Sequence, residues 1–218
     1  GRPWVELNGE GWRPLVTWDL DLYRGQLGPR AVPDNYKVKL IIDDKEYLQE
    51  LTVLKDPNSA GTLDDIKTQV AFSLELRDAM NLAVNMINTV EVIRGELNDV
   101  IPKLIKPKDI EQAKSLLAKA ERIAGALYDI HLTGAREDAF RSPMKLYGRL
   151  SALASDITGH GVDFKPTDQQ REVYSVFDKR LKTAEDRFKV FTTTDVESLN
   201  KQLKNRRLKI LLDKKIKS

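Results

Sequence analysis

Close to Leu63 the apolar side chains of this chain change their spacing from every second residue to every third and fourth, and they keep the new spacing without a break for roughly 38 residues. The stripe runs through Ile66, Val70, Leu74, Met80, Ala83, Ile87, Val90, Ile93, Leu97 and Ile101. It specifies one long amphipathic helix, about 57 Å from end to end, closing near Pro102, whose ring is incompatible with the preceding turn. A helix of that length needs partners along all of it.

Three later stretches supply them. The first runs from about Lys108 to Leu132, with Ile110, Ala113, Leu117, Ala120, Ala124 and Leu127 inward, widened by Leu116, Ile123 and Ile130. Gly134 lies just beyond it, as a carboxy cap requires. Ser142-Pro143 reads as an N-cap followed by proline at the first helical position, opening a third helix with Met144, Tyr147, Leu150, Leu153, Ala154 and Ile157 inward. Gly159-His160-Gly161 closes it. The fourth helix starts at a capping box, Thr167 with Gln170, and its stripe is Val173, Phe177, Leu181, Ala184, Phe188 and Phe191. Thr192-Thr193-Thr194 is a β-branched run, and Thr194 with Glu197 repeats the capping spacing, predicting a kink or a fresh short helix from about Asp195 anchored by Val196, Leu199 and Leu203. Short connections make neighbouring helices antiparallel, hence an up-and-down four-helix bundle crossing at about 20°. The alanines of the second helix (Ala113, Ala118, Ala120, Ala124, Ala126) allow it a close approach to its neighbours.

Ahead of Leu63 the pattern is that of strands. Val16, Trp18, Leu20 and Leu22 alternate with Thr17, Asp19 and Asp21; Tyr36, Val38, Leu40 and Ile42 alternate with Lys37 and Lys39. Asp43-Asp44 marks a tight turn into a third strand from about Glu46 to Leu54, which Asp56-Pro57 ends. Three strands cannot close a sandwich, which takes about seven. Either the sheet packs its apolar face on the helices, or it is the closing portion of an immunoglobulin-like domain whose earlier strands lie upstream of Gly1, and the second origin is favoured. The expected fold is therefore α+β and mainly α: a small antiparallel β-sheet of three strands followed by an antiparallel up-and-down four-helix bundle. The expected divisions are residues 1–57 for the strands, 58–200 for the bundle and 201–218 for a basic tail.

Charge and composition narrow the chemistry. The tail holds eight basic side chains against one acid, a balance of +7; since the whole chain carries +3, the first 200 residues carry −4. The basic character belongs to the tail, which has no aromatic residue to stack on a base. Arg206-Arg207-Leu208-Lys209-Ile210-Leu211-Leu212 suits docking on a partner or an anionic surface, or a terminus whose apolar residues cover the bundle or pair with a sheet edge; the latter is favoured. With no cysteine there is no thiolate chemistry, and no apolar run approaches the ~20 residues that cross a bilayer. Gly1-Arg2-Pro3-Trp4 is neither a signal peptide nor an initiator methionine, so the natural amino terminus is expected elsewhere.

Candidate reactive residues reduce to ordinary structural ones. His131 continues an inward row and His160 sits in a glycine-flanked loop; neither has a partner at ligand spacing. Asp64-Asp65 complements a helix dipole, and Asp19 and Asp21 lie on a solvated strand face. Gly9-Glu10-Gly11 and Gly159-His160-Gly161 read as turns and not as phosphate loops. Trp18 is in phase with the buried strand face, while Trp4 and Trp12 stay open between packing and a sugar platform. No catalytic, cofactor-binding or metal residue is assigned, and no cofactor is expected.

Val16-Thr17-Trp18-Asp19-Leu20, Val32-Pro33-Asp34-Asn35-Tyr36-Lys37-Val38-Lys39-Leu40 and Leu51-Thr52-Val53-Leu54-Lys55-Asp56-Pro57 together resemble the end of large bacterial BNR-repeat or sortilin-like glycosyl hydrolases. In that family a tryptophan-aspartate strand, a hairpin and an aspartate-proline exit close an immunoglobulin-like module. A helical region follows, its third helix opening much as Pro143-Met144-Lys145-Leu146-Tyr147 does here. Asp34-Asn35 and Asp43-Asp44 depart from the family's glycine-threonine and aspartate-glycine, so the turns are expected to differ in detail. The resemblance implies an upstream β-propeller that holds any carbohydrate-related active site, and export to the periplasm or beyond. The chain is then expected to be a non-catalytic carboxy-terminal accessory or interaction module, with the propeller and a protein met through the bundle face as partners, and neither nucleic acid nor a membrane span. Two alternatives stand beside it: a part of a carbohydrate-active hydrolase that contributes to substrate binding, and a bundle that binds nucleic acid or an anionic surface through its tail.

Overall fold

A computed structural model of the protein describes residues 28–129, 143–158 and 163–204. Within them the long stripe forms a single helix, α1, Leu63–Val100, 38 residues in length. It opens at a capping box in which Thr62 Oγ1 accepts from the Asp65 amide at 3.1 Å and Asp65 Oδ2 accepts from the Thr62 amide at 2.9 Å. Two backbone donors that the first turn leaves orphaned are satisfied this way. The helix passes into a short 3-10 turn, Ile101–Lys103, that holds Pro102, where the sequence predicts its end. Just ahead of the cap, Gly61 is buried, and a Cβ there would overlap the Asp163 carbonyl oxygen. Only glycine lets these two backbone segments meet.

The remaining helices are α2 (Pro107–Leu127), α3 (Leu146–Thr158), α4 (Asp168–Val190) and α5 (Glu197–Lys204), the last two joined by a π-helical turn at Phe191–Val196. All pack on α1 or on one another around one core, a mainly helical α+β architecture with a helical bundle. From Ala83 to Leu97, α1 is buried on most of its circumference, with Ala83, Ile87, Val90, Ile93 and Leu97 fully covered. It is the central helix, and the others surround it. Ala113, Ala120 and Ala124 of α2 are also fully covered, the close approach that their small side chains permit.

Four helical details differ from expectation. In the first third of α1, Ile66 is buried as expected, but it is joined by Gln69, Phe72, Ser73 and Leu76, while Val70 and Leu74 are only half-covered. The neighbours decide this, because Gln69 Nε2 donates to the Ile157 carbonyl at 3.0 Å and Phe72 stacks edge-on against Tyr174 with centroids 5.3 Å apart. For α2, the end comes at Leu127 and not Leu132, since Tyr128 turns extended (φ −153) and buries its ring. The start of α3 is Leu146 and not Pro143. There the Met144 carbonyl is taken by Arg149 Nε at 3.0 Å, leaving the Lys145 carbonyl to accept the first helical bond from the Arg149 amide. The expected N-cap, Ser142, lies outside the described residues, as do Gly134 and residues 159–162.

The fourth difference is in α4, which starts at the expected box, with Thr167 Oγ1 accepting from Gln170 at 3.2 Å and Gln170 Oε1 accepting from Thr167 at 2.9 Å. Phe177, Leu181, Ala184 and Phe191 face inward, but Val173 is exposed and Tyr174 makes the contact instead. Where a kink or a new helix was expected, a short new helix, α5, does follow, entered through the π turn. Thr192 and Thr193 hydroxyls donate back to the carbonyls of Phe188 at 3.0 Å and Lys189 at 2.8 Å. Their side chains are thus satisfied inside a helix they would otherwise disfavour, and the wider turn brings Val196, Leu199 and Leu203 onto the core.

Among the described residues one ion pair is deeply buried. Glu91 is fully buried, and Arg94 Nη1 donates to its Oε1 at 2.6 Å from a side chain only 14% exposed; Glu121 stands 3.6 Å from the other guanidinium nitrogen.

The sheet is a two-stranded antiparallel hairpin, β1 (Asn35–Ile42) and β2 (Lys45–Thr52), with Ile42 opposite Lys45 and Asn35 opposite Thr52. Asp43 and Asp44 form its turn with φ of 45° and 64°, the positive pair that a two-residue hairpin turn demands. The strand expected over residues 16–22 lies outside the described residues. The packing of this sheet on the helices does not occur among the described residues: every hairpin residue except half-buried Tyr36 is exposed.

Candidate functional site

The register sorts the hairpin into two unlike faces. Residues directly opposite share a face, so Tyr36, Val38, Leu40 and Ile42 lie with Leu51, Gln49, Tyr47 and Lys45. Six of these eight are apolar or aromatic, yet Leu40 is 56% exposed and Tyr47 54%. On the reverse, Lys37 faces Glu50 and Lys39 meets Glu46 at 2.8 Å, with Ile41 and Leu48 among them. One face is mostly apolar and the other mixes charged with apolar side chains.

A second feature lies in the bundle, where α2, α3 and α4 leave a groove of about 540 Å³. Arg122, Ile123 and Ala126 line it from the last turns of α2; Pro143, Met144, Lys145, Leu146 and Arg149 from the start of α3; and Lys179, Arg180, Thr183, Ala184 and Arg187 from one side of α4. Six of these thirteen residues are cationic and none is acidic. Arg122, Arg149, Lys179, Arg180 and Arg187 are exposed and Lys145 is half-buried. Among the described residues none of the six stands in an ion pair. A groove with this lining attracts anions and offers a multiply charged one several donors at once.

A smaller, shallow recess of about 240 Å³ lies between α2 and the π turn, crossed by the ion pair of Lys119 and Asp195 at 2.7 Å. Its rim of Gln112, Ser115, Ser198 and Gln202 is polar and uncharged.

Of the residues weighed from sequence, Asp64 and Asp65 stand in the first turn of α1. The hydrogen bond from the Thr62 side chain, reinforced by the one from its backbone, holds the Asp65 carboxyl below its ordinary range. Tyr174 is shifted upward, chiefly by burial and then by Asp178, Glu75 and Asp78. Its phenol stays protonated and serves as a packing group. His131, His160, Asp19, Asp21, the three tryptophans, both glycine pairs and the tail beyond Lys204 lie outside the described residues. Within the described residues no group of three or more His, Cys, Asp or Glu side chains gathers as a metal site would require, and no helix is long and apolar enough to cross a membrane.

Linear reading missed the groove because its cations come from three helices, in a stretch, residues 122–187, where eleven basic and ten acidic residues nearly cancel. A signal was nonetheless present: Arg180, Thr183, Ala184 and Arg187 share a helical side without an acid, and Lys145 with Arg149 puts two cations at a helix start, where acids are the rule. No protein-family model, curated protein or solved structure matches the chain.

Proposed function

We propose that this chain is a non-catalytic accessory and interaction module at the carboxy-terminal end of a larger exported β-propeller protein of the BNR-repeat or sortilin-like kind, joined to it through its β part. The observation that carries this reading is the unequal hairpin, whose ion-paired side chains lie on one face while the other gathers six apolar or aromatic side chains that are mostly exposed. An isolated two-stranded hairpin is marginal in water, and one that also exposes Val38, Leu40, Ile42 and Tyr47 needs cover.

In this reading residues 16–22 add a third strand beside β1. Val16, Trp18, Leu20 and Leu22 extend the apolar face, and Thr17, Asp19 and Asp21 extend the charged one next to Lys37 and Lys39. The rest of an immunoglobulin-like module in the parent protein then closes over the enlarged apolar face. The helical bundle is left free to present its own surface to a partner.

The test is association of the chain with the upstream region of its parent protein, followed by hydrogen exchange. Leu40→Asp, on the uncovered face, is expected to weaken association at least tenfold while the helical circular dichroism and melting of the bundle stay unchanged. Equal affinity for Leu40→Asp and the parent chain would sink the reading, as would β1 amides that exchange equally fast in the free and associated chain.

A further inference from the structure

We infer that the groove between α2, α3 and α4 binds a small polyanion, one that clusters several tetrahedral oxyanions, phosphate or sulfate, on a compact non-aromatic frame. The inference rests on the bundle alone and stands independently of the hairpin reading.

Its first support is the concentration of positive charge around one concavity. Several exposed cations elsewhere pair with carboxylates, Lys119 with Asp195, Arg171 with Glu75, Lys182 with Asp178 and Lys39 with Glu46, whereas the thirteen described residues of the groove include six cations and no acid. On α4, Lys182 is paired outside the groove, while Lys179, Arg180 and Arg187, within about one and a half turns of it, enter no ion pair among the described residues. Six like charges held around one concavity repel one another, and an anion relieves that repulsion.

Its second support is the helix that starts in the groove. Helices α1, α2 and α4 each carry an acid in the first turn, where the positive end of the dipole favours it; α3 carries none, and Lys145 and Arg149 stand there instead. Cations at that end are unfavourable unless an anion sits among them, where it meets both the side-chain charge and the dipole.

Shape and lining select the ligand class. A volume of about 540 Å³ suits a small molecule. Four of the six cations are arginines, whose planar forks grip tetrahedral oxyanions through paired donors, and Ile123, Ala126, Leu146 and Ala184 give a smooth apolar floor. Among the described residues no aromatic side chain lines the groove, so a nucleobase finds no ring there to stack on, and a polyol or sugar frame fits better than a nucleic-acid strand.

The experiment is calorimetric titration of the full chain with inositol hexakisphosphate and, separately, with sucrose octasulfate, at physiological salt. At least one is expected to bind at micromolar concentration, with affinity falling as salt rises, and the stronger of the two identifies phosphate or sulfate as the source. Arg180→Ala and Arg187→Ala, both exposed, are each expected to weaken binding about tenfold without altering the melting of the free protein. Lys182→Ala, outside the groove, and Arg206→Gln with Arg207→Gln, in the tail, should leave it within about twofold. The inference is overturned if neither polyanion binds below millimolar concentration, if the tail substitutions abolish binding while the groove substitutions do not, or if a single-stranded oligonucleotide of equal charge binds as tightly as the polyanions.

Discussion

Replacing Arg94 by methionine tests what the ion pair inside the bundle contributes. Glu91 has no exposed side-chain surface and lies 2.6 Å from the Arg94 guanidinium, which is itself 14% exposed. Methionine retains most of the aliphatic stem, so the cavity contribution is small and the loss is mainly electrostatic. Stranding one partner of a buried pair costs about 3–5 kcal/mol. The second carboxylate, Glu121, is 41% exposed at 3.6 Å, and its loss adds less than about 1 kcal/mol. For a chain of this size each kcal/mol moves the melting temperature by about 2–4 °C, so Arg94→Met should melt about 6–20 °C lower. Urea unfolding followed by far-ultraviolet circular dichroism gives the free energy directly. Adding Glu91→Gln, which removes the stranded charge but keeps the shape and the polar atoms, should recover more than about half of the loss. A single variant within about 1 kcal/mol of the parent, or a double variant as unstable as the single, would refute the view that this pair is desolvated.

Three further outcomes follow from local geometry. Gly61→Ala puts a methyl group against the Asp163 carbonyl and should destabilise the fold by about 1–3 kcal/mol, read by urea unfolding. Asp44→Gly removes the cost of a left-handed φ of 64°, about 1 kcal/mol, and should slow exchange of the hairpin amides about fivefold. The third concerns acid. Because the folded-state pKa of Asp65 is lowered, its contribution is present above the ordinary aspartate range and is lost as pH falls through the depressed value. The gap in melting temperature between the parent chain and Thr62→Ala should therefore narrow as the solution is acidified past that range, and a gap that widened would contradict the assignment.

Local chemistry made parts of this fold legible in the sequence. The limits of α1 could be read from the change of spacing near Leu63 and from Pro102, the start of α4 from Thr167 and Gln170, and the hairpin turn from Asp43-Asp44, because each depends on residues close together in the chain. What failed was decided at a distance. The burial of Gln69 in place of Val70 is set by the Ile157 carbonyl, 88 residues away, and that of Phe72 by Tyr174. Periodicity gives the width of an apolar stripe but not its partner, so Val173 and Tyr174 were exchanged. The basic groove was hidden for the same reason, its six cations being gathered by packing and not by adjacency. Arg94 and Glu91 likewise look like an ordinary surface pair at helical spacing until packing covers them.

The position of α1 has a consequence for the order in which the molecule can be assembled. The chain is synthesised from its amino end, and the segment that becomes the central helix precedes every element that covers it. When its last residue leaves the ribosome, α2 has yet to emerge; Ile157 is still to come for Gln69, and Tyr174 for Phe72. Only after α4 has been added can all of its sides be enclosed. Throughout that interval a helix made to be surrounded has to be shielded by something other than its own fold, so the nascent chain makes a demand on its cellular escort that the finished protein does not.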